Sequence, residues 1–224
     1  MEDAARRDEA FMARALELAR ARLGRTAPNP AVGCILVKGA EVIAEAATGE
    51  GGRPHAEEAA LAAAGERARG AVAYVSLEPC SARSGGGLSC AGRLIAAGVA
   101  EVVYACAEPH AASAGGGALL AAAGVAVRWG VREADARRLN CGFFKRIASG
   151  RPWLAIDPVA TGYDAEFQAR PGEALEATLG RLGAEGWTRV RVAPESSQRR
   201  ALEAAGLVDE DLSGENSADA HPPA

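Results

Sequence analysis

The sequence predicts an α/β sandwich, a mixed sheet with helices on both faces, followed by a smaller α/β appendage. Short apolar runs, partly β-branched, alternate with segments of helical spacing from residue 31 to about 146, the pattern of a sheet buried between helices. The first two runs are separated by little more than Gly39-Ala40, a hairpin that makes the start of the sheet antiparallel. The alternation pauses at Gly150-Arg151-Pro152 and then resumes in shorter form. With 224 residues, one full domain and a shorter companion is the expected scale.

Residues 4–23 place Ala, Phe, Met and Leu at helical spacing, and Gly24 is a natural stop. Strands are expected over 31–37 and 41–45, then an Ala- and Glu-rich helix over 56–68. A strand over 71–77 leads into Glu78-Pro79-Cys80, and the glycine-rich 81–89 reads as a loop. A helix over 90–97, a strand over 101–106 and a Gly115-Gly116-Gly117 loop follow. A short helix over 118–123, a strand over 125–129 and a helix reaching about 146 complete the first domain, 1–150. Beyond it, 153–156 and 188–192 read as strands and 173–182 and 198–205 as helices. Residues 213–224 are acidic and rich in Ser, Asp and Pro, the composition of a disordered tail.

Composition narrows the function classes. The chain is 49% hydrophobic and 24% charged with a net charge of −4, which suits a globular core and gives no reason to expect nucleic acid or membrane partners. Aromatics are only 4% and form no basic, stacking stripe, which argues against a nucleic-acid editor. No apolar run approaches the roughly 18 residues of a membrane span, and residues 1–20 are too charged for a signal peptide. A cytoplasmic protein is expected. Its alanine bias, with Lys38 and Lys145 the only lysines, fits a GC-rich bacterial genome. Five cysteines in such a chain suit metal ligation or burial better than a disulfide framework.

The chemistry concentrates in three short stretches: Pro54-His55-Ala56-Glu57 at a helix start, Glu78-Pro79-Cys80 after a strand, and Cys90 at the next helix start. One imidazole and two thiolates, His55, Cys80 and Cys90, are a suitable set for one zinc ion, with the fourth tetrahedral position open to water. Zinc lowers the pKa of that water to about 7. Glu57, on the first turn after His55, can reach the water without ligating the metal and carry its proton to a ring nitrogen and then to a departing amine. His-x-Glu followed by Pro-Cys and a later Cys is the signature of zinc deaminases. Cys34, Cys106 and Cys141 read as core, and His221 falls in the tail.

Residues 10–150 resemble the deaminase domain of the bifunctional riboflavin-biosynthesis deaminase/reductase, a cytidine-deaminase-like enzyme. The matching stretches include Thr26-Ala27-Pro28-Asn29-Pro30-Ala31-Val32-Gly33-Cys34, Tyr74-Val75-Ser76-Leu77-Glu78-Pro79-Cys80-Ser81 and Leu139-Asn140-Cys141-Gly142-Phe143-Phe144-Lys145-Arg146. The resemblance implies a cytidine-deaminase-like three-layer α/β/α sandwich and deamination of a diaminopyrimidinone carrying a ribosylamino phosphate. It assigns His55, Cys80 and Cys90 to zinc, Glu57 to proton transfer, and Asn29 to a hydrogen bond with the heterocycle. Ala56, Thr48, Arg83, Glu108 and His110 fall at further substrate-binding positions. It also implies a homo-oligomer, with a dimer favoured.

Several of those positions depart from the family pattern. The family's Cys-Ser-His-x-Gly-basic-Thr-Pro-Pro-Cys loop is here Cys80-Ser81-Ala82-Arg83-Ser84-Gly85-Gly86-Gly87-Leu88-Ser89-Cys90. The family's Asp-Pro-Asn-Pro is Glu108-Pro109-His110-Ala111, and a usual histidine is Thr48. Residues 151–212 resemble a truncated reductase part. Its expected Glu-Gly-Gly turn is replaced by Ala193-Pro194-Glu195-Ser196-Ser197, so no NADPH is expected. The leading expectation is a deaminase re-targeted to another amino-substituted pyrimidine- or purine-like small molecule, in a specialised pathway. The alternatives are the riboflavin-pathway deaminase itself and a catalytically silent zinc-stabilised scaffold. The glycines at 85–87 and 115–117 suggest a mobile lid.

Overall fold

Met12, Ala15, Leu16 and Ala19 recur at three- and four-residue intervals and are all buried, one face of an α-helix. That helix is α1 (Glu2–Arg20); the structure, a computed structural model, describes residues 2–83 and 86–214. The face lies on a sheet of β1 (Gly33–Lys38), β2 (Glu41–Ala47), β3 (Val72–Val75), β4 (Glu101–Tyr104) and β5 (Ala126–Trp129). Their spatial order is β2-β1-β3-β4-β5. The hairpin at 39–40 makes β1 antiparallel to β2, and β1 is antiparallel to β3 as well. From β3 through β4 to β5 the pairing is parallel, so the sheet is mixed.

The two-residue alternation of β1 and β3 sorts side chains between the faces. Ile35 opposes Tyr74 on the α1 side, where the Tyr74 ring centroid lies 5.1 Å from that of Phe11 and its hydroxyl donates to Asp8 at 2.7 Å. Cys34 opposes Val75 on the other side. There α2 (Ala56–Ala64) covers β1 and β2, and packs against α3 (Cys90–Ala97), which meets α4 (Gly116–Ala122). With α5 (Glu133–Leu139) beside α1, the helices form layers above and below the sheet. Gly33 permits the close approach of α1: a Cβ there would stand 1.9 Å from the Ala15 carbonyl oxygen.

The chain divides into two compact units. One takes the chain up to Arg22 and Ala31–Asn140, and the other takes Leu23–Pro30 and the chain from Cys141 onward. The division expected at 150–152 therefore falls earlier. The helix expected to run to 146 breaks at Asn140, whose side chain accepts from Ala31 N–H at 3.0 Å and donates to Ala31 O at 2.9 Å. After it comes α6 (Cys141–Ser149). Leu23–Pro30 joins the second unit because Gly24, at φ +75°, lies against the Tyr163 backbone and Gly186 lies against Pro28.

The second unit holds a four-stranded sheet in order β7-β8-β6-β9, from β6 (Trp153–Ile156), β7 (Ala165–Glu166), β8 (Arg189–Val192) and β9 (Glu210–Asp211). Its pairings are all parallel. Leu154, Ile156, Val190 and Val192 point into a core closed by Leu179 of α7 (Leu175–Ala184) and Leu202 of α8 (Arg199–Ala204). The two-residue strands β7 and β9 carry no legible run and are absent from the sequence expectation. Of the expected tail, 215–224, with His221, lies outside the described residues. No helix among the described residues is long and apolar enough to cross a membrane.

Candidate active site

The site is assembled where α2, the end of β3 and α3 meet. After β2 the chain turns through Gly49, whose N–H donates to Pro54 O at 2.9 Å and where a Cβ would stand 2.0 Å from Arg53 O. That tight turn delivers His55 as the residue capping α2. Cys80 follows β3, and Cys90 opens α3, whose cap is Ser89 accepting Gly92 N–H at 3.1 Å. Such a cap contributes about 1 kcal/mol and here fixes where Cys90 stands.

His55 Nδ1 lies 3.2 Å from Cys90 Sγ and 3.9 Å from Cys80 Sγ, and Cys90 N–H donates to Cys80 Sγ at 3.3 Å. All three ligand atoms fall within 4.8 Å of one another, with both thiols buried and His55 half-buried. The interaction of the two thiols lowers the Cys80 pKa, against the effect of burial, and together with burial raises that of Cys90. Cys80 in turn raises the His55 pKa through their hydrogen bond, against the opposing effect of burial. Two thiols, one imidazole and a nearby carboxylate in a buried cluster are a donor set that a divalent cation neutralises, and its composition fits zinc with one position open.

Glu57 is buried on the first turn of α2. Burial raises its pKa, opposed by its own backbone N–H, by His55 and by a hydrogen bond with Cys90. A carboxylate that holds a proton more readily than an exposed one, beside the cluster of His55, Cys80 and Cys90, is suited to moving protons. The structure thus brings together His55, Glu57, Cys80 and Cys90. Cys34, Cys106 and Cys141 stand apart as free thiols, the first two buried and the third half-buried.

The expected substrate contacts divide. Glu108 lies on the wall beside this cluster: burial lifts its pKa to about 7, opposed by the His110 N–H bond and assisted by the charges of Cys80, Glu78 and Glu57. Ala56 is fully buried at the start of α2. His110 is exposed, and its N–H donates to Glu108 Oε1 at 2.9 Å. Thr48 is committed to the sheet: its hydroxyl accepts Val32 N–H at 3.0 Å and donates to Val32 O at 3.3 Å. Arg83 is paired with Glu58 of α2 at 3.1 Å, and Arg93 of α3 meets the same carboxylate at 3.0 Å. Asn29 lies in Leu23–Pro30, where its N–H donates to Thr26 O at 2.9 Å.

Three residues that shape the site escape sequence reasoning. Glu58 holds the arginine of the 81–89 loop, and nothing in the local pattern separates it from a solvated helix acid. Glu78 and Ser81 flank Cys80 and bond the 107–117 segment. Their signal is adjacency to the Pro79-Cys80 pair. Of the Gly115-Gly116-Gly117 stretch expected as a loop, Gly115 caps α4 and Gly116 and Gly117 open it, and a Cβ at Gly116 would stand 1.7 Å from Pro79 O. Of the other glycine stretch, Gly85 lies outside the described residues.

Residues 5–106 match the cytidine and deoxycytidylate deaminase zinc-binding region. The chain is 46% identical over 150 residues to the riboflavin biosynthesis protein RibD of Escherichia coli K12, covering 66% of this chain and 41% of that protein. It is 40% identical over 143 residues to the diaminohydroxyphosphoribosylamino-pyrimidine deaminase of Buchnera aphidicola from Acyrthosiphon pisum, covering 63% of this chain and 97% of that one. The chain thus spans about two fifths of the longer relative and nearly all of the shorter. Among solved structures, one form of Acinetobacter baumannii RibD aligns with a TM-score of 0.77 at 25% identity, covering 92% of this chain and 86% of that one.

Proposed function

Since the chain belongs to the zinc-dependent deaminase family of diaminohydroxyphosphoribosylamino-pyrimidine deaminase, we propose that it hydrolytically deaminates that pyrimidine. The observation that carries this is the near-complete match to a deaminase of that name, joined to a clustered His55, Cys80 and Cys90 with Glu57 beside them. Re-targeting to another substrate, the leading expectation from the altered loops, is less well supported than this alternative.

In this reading His55, Cys80 and Cys90 hold one zinc ion. The chemistry zinc supplies in such a site is acidification of water, to a pKa of about 7. Glu57 takes a proton from the attacking water as its oxygen bonds the amine-bearing ring carbon. It gives that proton to the adjacent ring nitrogen, then takes the proton of the newly formed hydroxyl and delivers it to the amine as the C–N bond breaks, so that ammonia leaves and a ring carbonyl remains. Buried between the ligands and the sheet, the carboxylate keeps these transfers on one face of the ring. Ala56, Glu108 and His110 are the proposed substrate contacts.

Residues 151–212 are read as the remnant of a reductase part that binds no NADPH. The turn after β8 has proline, glutamate and two serines where backbone would have to approach a phosphate closely. Re-targeting stays as the second reading on one observation, the engagement of Arg83 by Glu58, which occupies the one basic side chain of the 81–89 loop.

Complementation separates the two. A riboflavin auxotroph lacking only its deaminase should grow without riboflavin on the wild-type gene and fail on Glu57→Ala. Failure of the wild type, with zinc bound at one per chain, would reject the riboflavin reading and favour the second.

A further inference from the structure

The ligand Cys80 sits between two residues that both reach the 107–117 segment. On one side, Glu78 is buried; its Oε2 accepts the Glu108 N–H at 3.1 Å and its Oε1 the Gly117 N–H at 2.9 Å. Its own N–H donates to Cys106 O at 2.9 Å, tying the end of β3 to the chain that leaves β4. On the other side, Ser81 Oγ donates to Ala114 O at 2.6 Å and its N–H to Ser113 O at 2.8 Å. Between them, the Pro79 carbonyl packs on Gly116 so closely that no side chain fits there.

We propose that Glu78 is a positioning residue for the reaction: its carboxylate clamps the 107–117 segment beside Cys80 and so sets where the Glu108 carboxylate stands on the wall of the site. This deepens the deaminase reading and rests on it for its kinetic consequence. The chemistry selects glutamate. Two backbone N–H groups of one segment need two acceptors about a carboxylate's width apart, and a carboxylate is acceptor-only at both oxygens. Glutamine at this place offers one acceptor and turns an NH2 against the other N–H. Aspartate lacks the reach. A clamp lost on one side leaves a buried N–H unpaired, and the segment moves to find a partner.

The test uses the zinc-loaded full chain and Glu78→Gln, which changes no volume. Zinc content should stay at one per chain. KM for the diaminopyrimidine phosphate should rise about tenfold, the scale of one lost hydrogen bond to a charged group, with the loss falling on KM rather than kcat. The amide protons of Glu108 and Gly117 should lose their protection from exchange. In a Glu108→Ala background, where KM is already raised, Glu78→Gln should add little, because the two act through one contact. An equal rise in both backgrounds would show that Glu78 does not act through Glu108 and would overturn the proposal. Unchanged protection of the two amides would overturn it irrespective of kinetics. If the wild type leaves this pyrimidine untouched, the substrate reading falls, and the amide exchange alone decides whether the clamp exists.

Discussion

Glu57 and Glu108 are two carboxyls whose burial raises their pKa values for different ends. Glu57→Gln keeps the shape and the ligand set but removes the proton carrier. It should retain zinc while losing about 10²–10⁴-fold in kcat, the usual worth of a positioned acid–base group; zinc analysis beside steady-state kinetics checks both. Glu108, with a pKa of about 7 in the fold, holds a proton that an unfolded glutamate would have released near 4.3. Between those values the folded state binds the extra proton, so its contribution to stability falls as pH rises and levels off above about 7. Glu108→Gln should therefore melt higher than the wild type at pH 8 and equally at pH 4.5, measured on the chelated protein. At this level the grouping of His55, Cys80 and Cys90 with Glu57 beside them was legible, because the residue types and spacing that ligation and proton transfer would demand are local to the sequence. Thr48 and Arg83 were not. Their roles depend on Val32 and Glu58, partners that only the fold supplies.

The elements themselves follow the periodicities in the sequence, and their ends follow contacts that periodicity does not record. The helix over 90–97 and the strand over 153–156 come out as read, each bounded by local chemistry. The long helix after β5 does not, because the Asn140 amide bonds Ala31 across the fold. A glycine inside an apolar run is likewise mute until its neighbour is known. Gly33→Ala should push α1 off the sheet and cost about 2–3 kcal/mol, read by denaturant unfolding; a loss under half of that would show that α1 yields freely. Asp8 joins the same helix to the sheet through Tyr74 and Arg128. Burial works to raise its pKa, but those hydrogen bonds outweigh it and the value is lowered. Its contribution is therefore complete above about pH 4 and lost as pH falls through the depressed value. Asp8→Asn should lack that acid limb and cost about 1 kcal/mol at pH 7, since Arg128 is half exposed and screened.

At the scale of the whole molecule the chain divides into two compact units, and the division runs through a loop as well as between longer segments. Leu23–Pro30, which carries Asn29, belongs to the second unit. No periodicity announces that allegiance, because it rests on glycines at close backbone approaches. A chain ended at residue 150 should expose 23–30, so that trypsin cuts after Arg25 far faster than in the full chain; equal rates would show that the segment needs nothing beyond 150. The deaminase assignment itself is tested most directly by ammonia release. Zinc-loaded wild-type protein is mixed with the diaminopyrimidine ribosylamino phosphate, with Glu57→Ala as the blank. Stoichiometric ammonia from the wild type alone is the expected result. No ammonia above the blank, from protein carrying one zinc per chain, would contradict the proposed function.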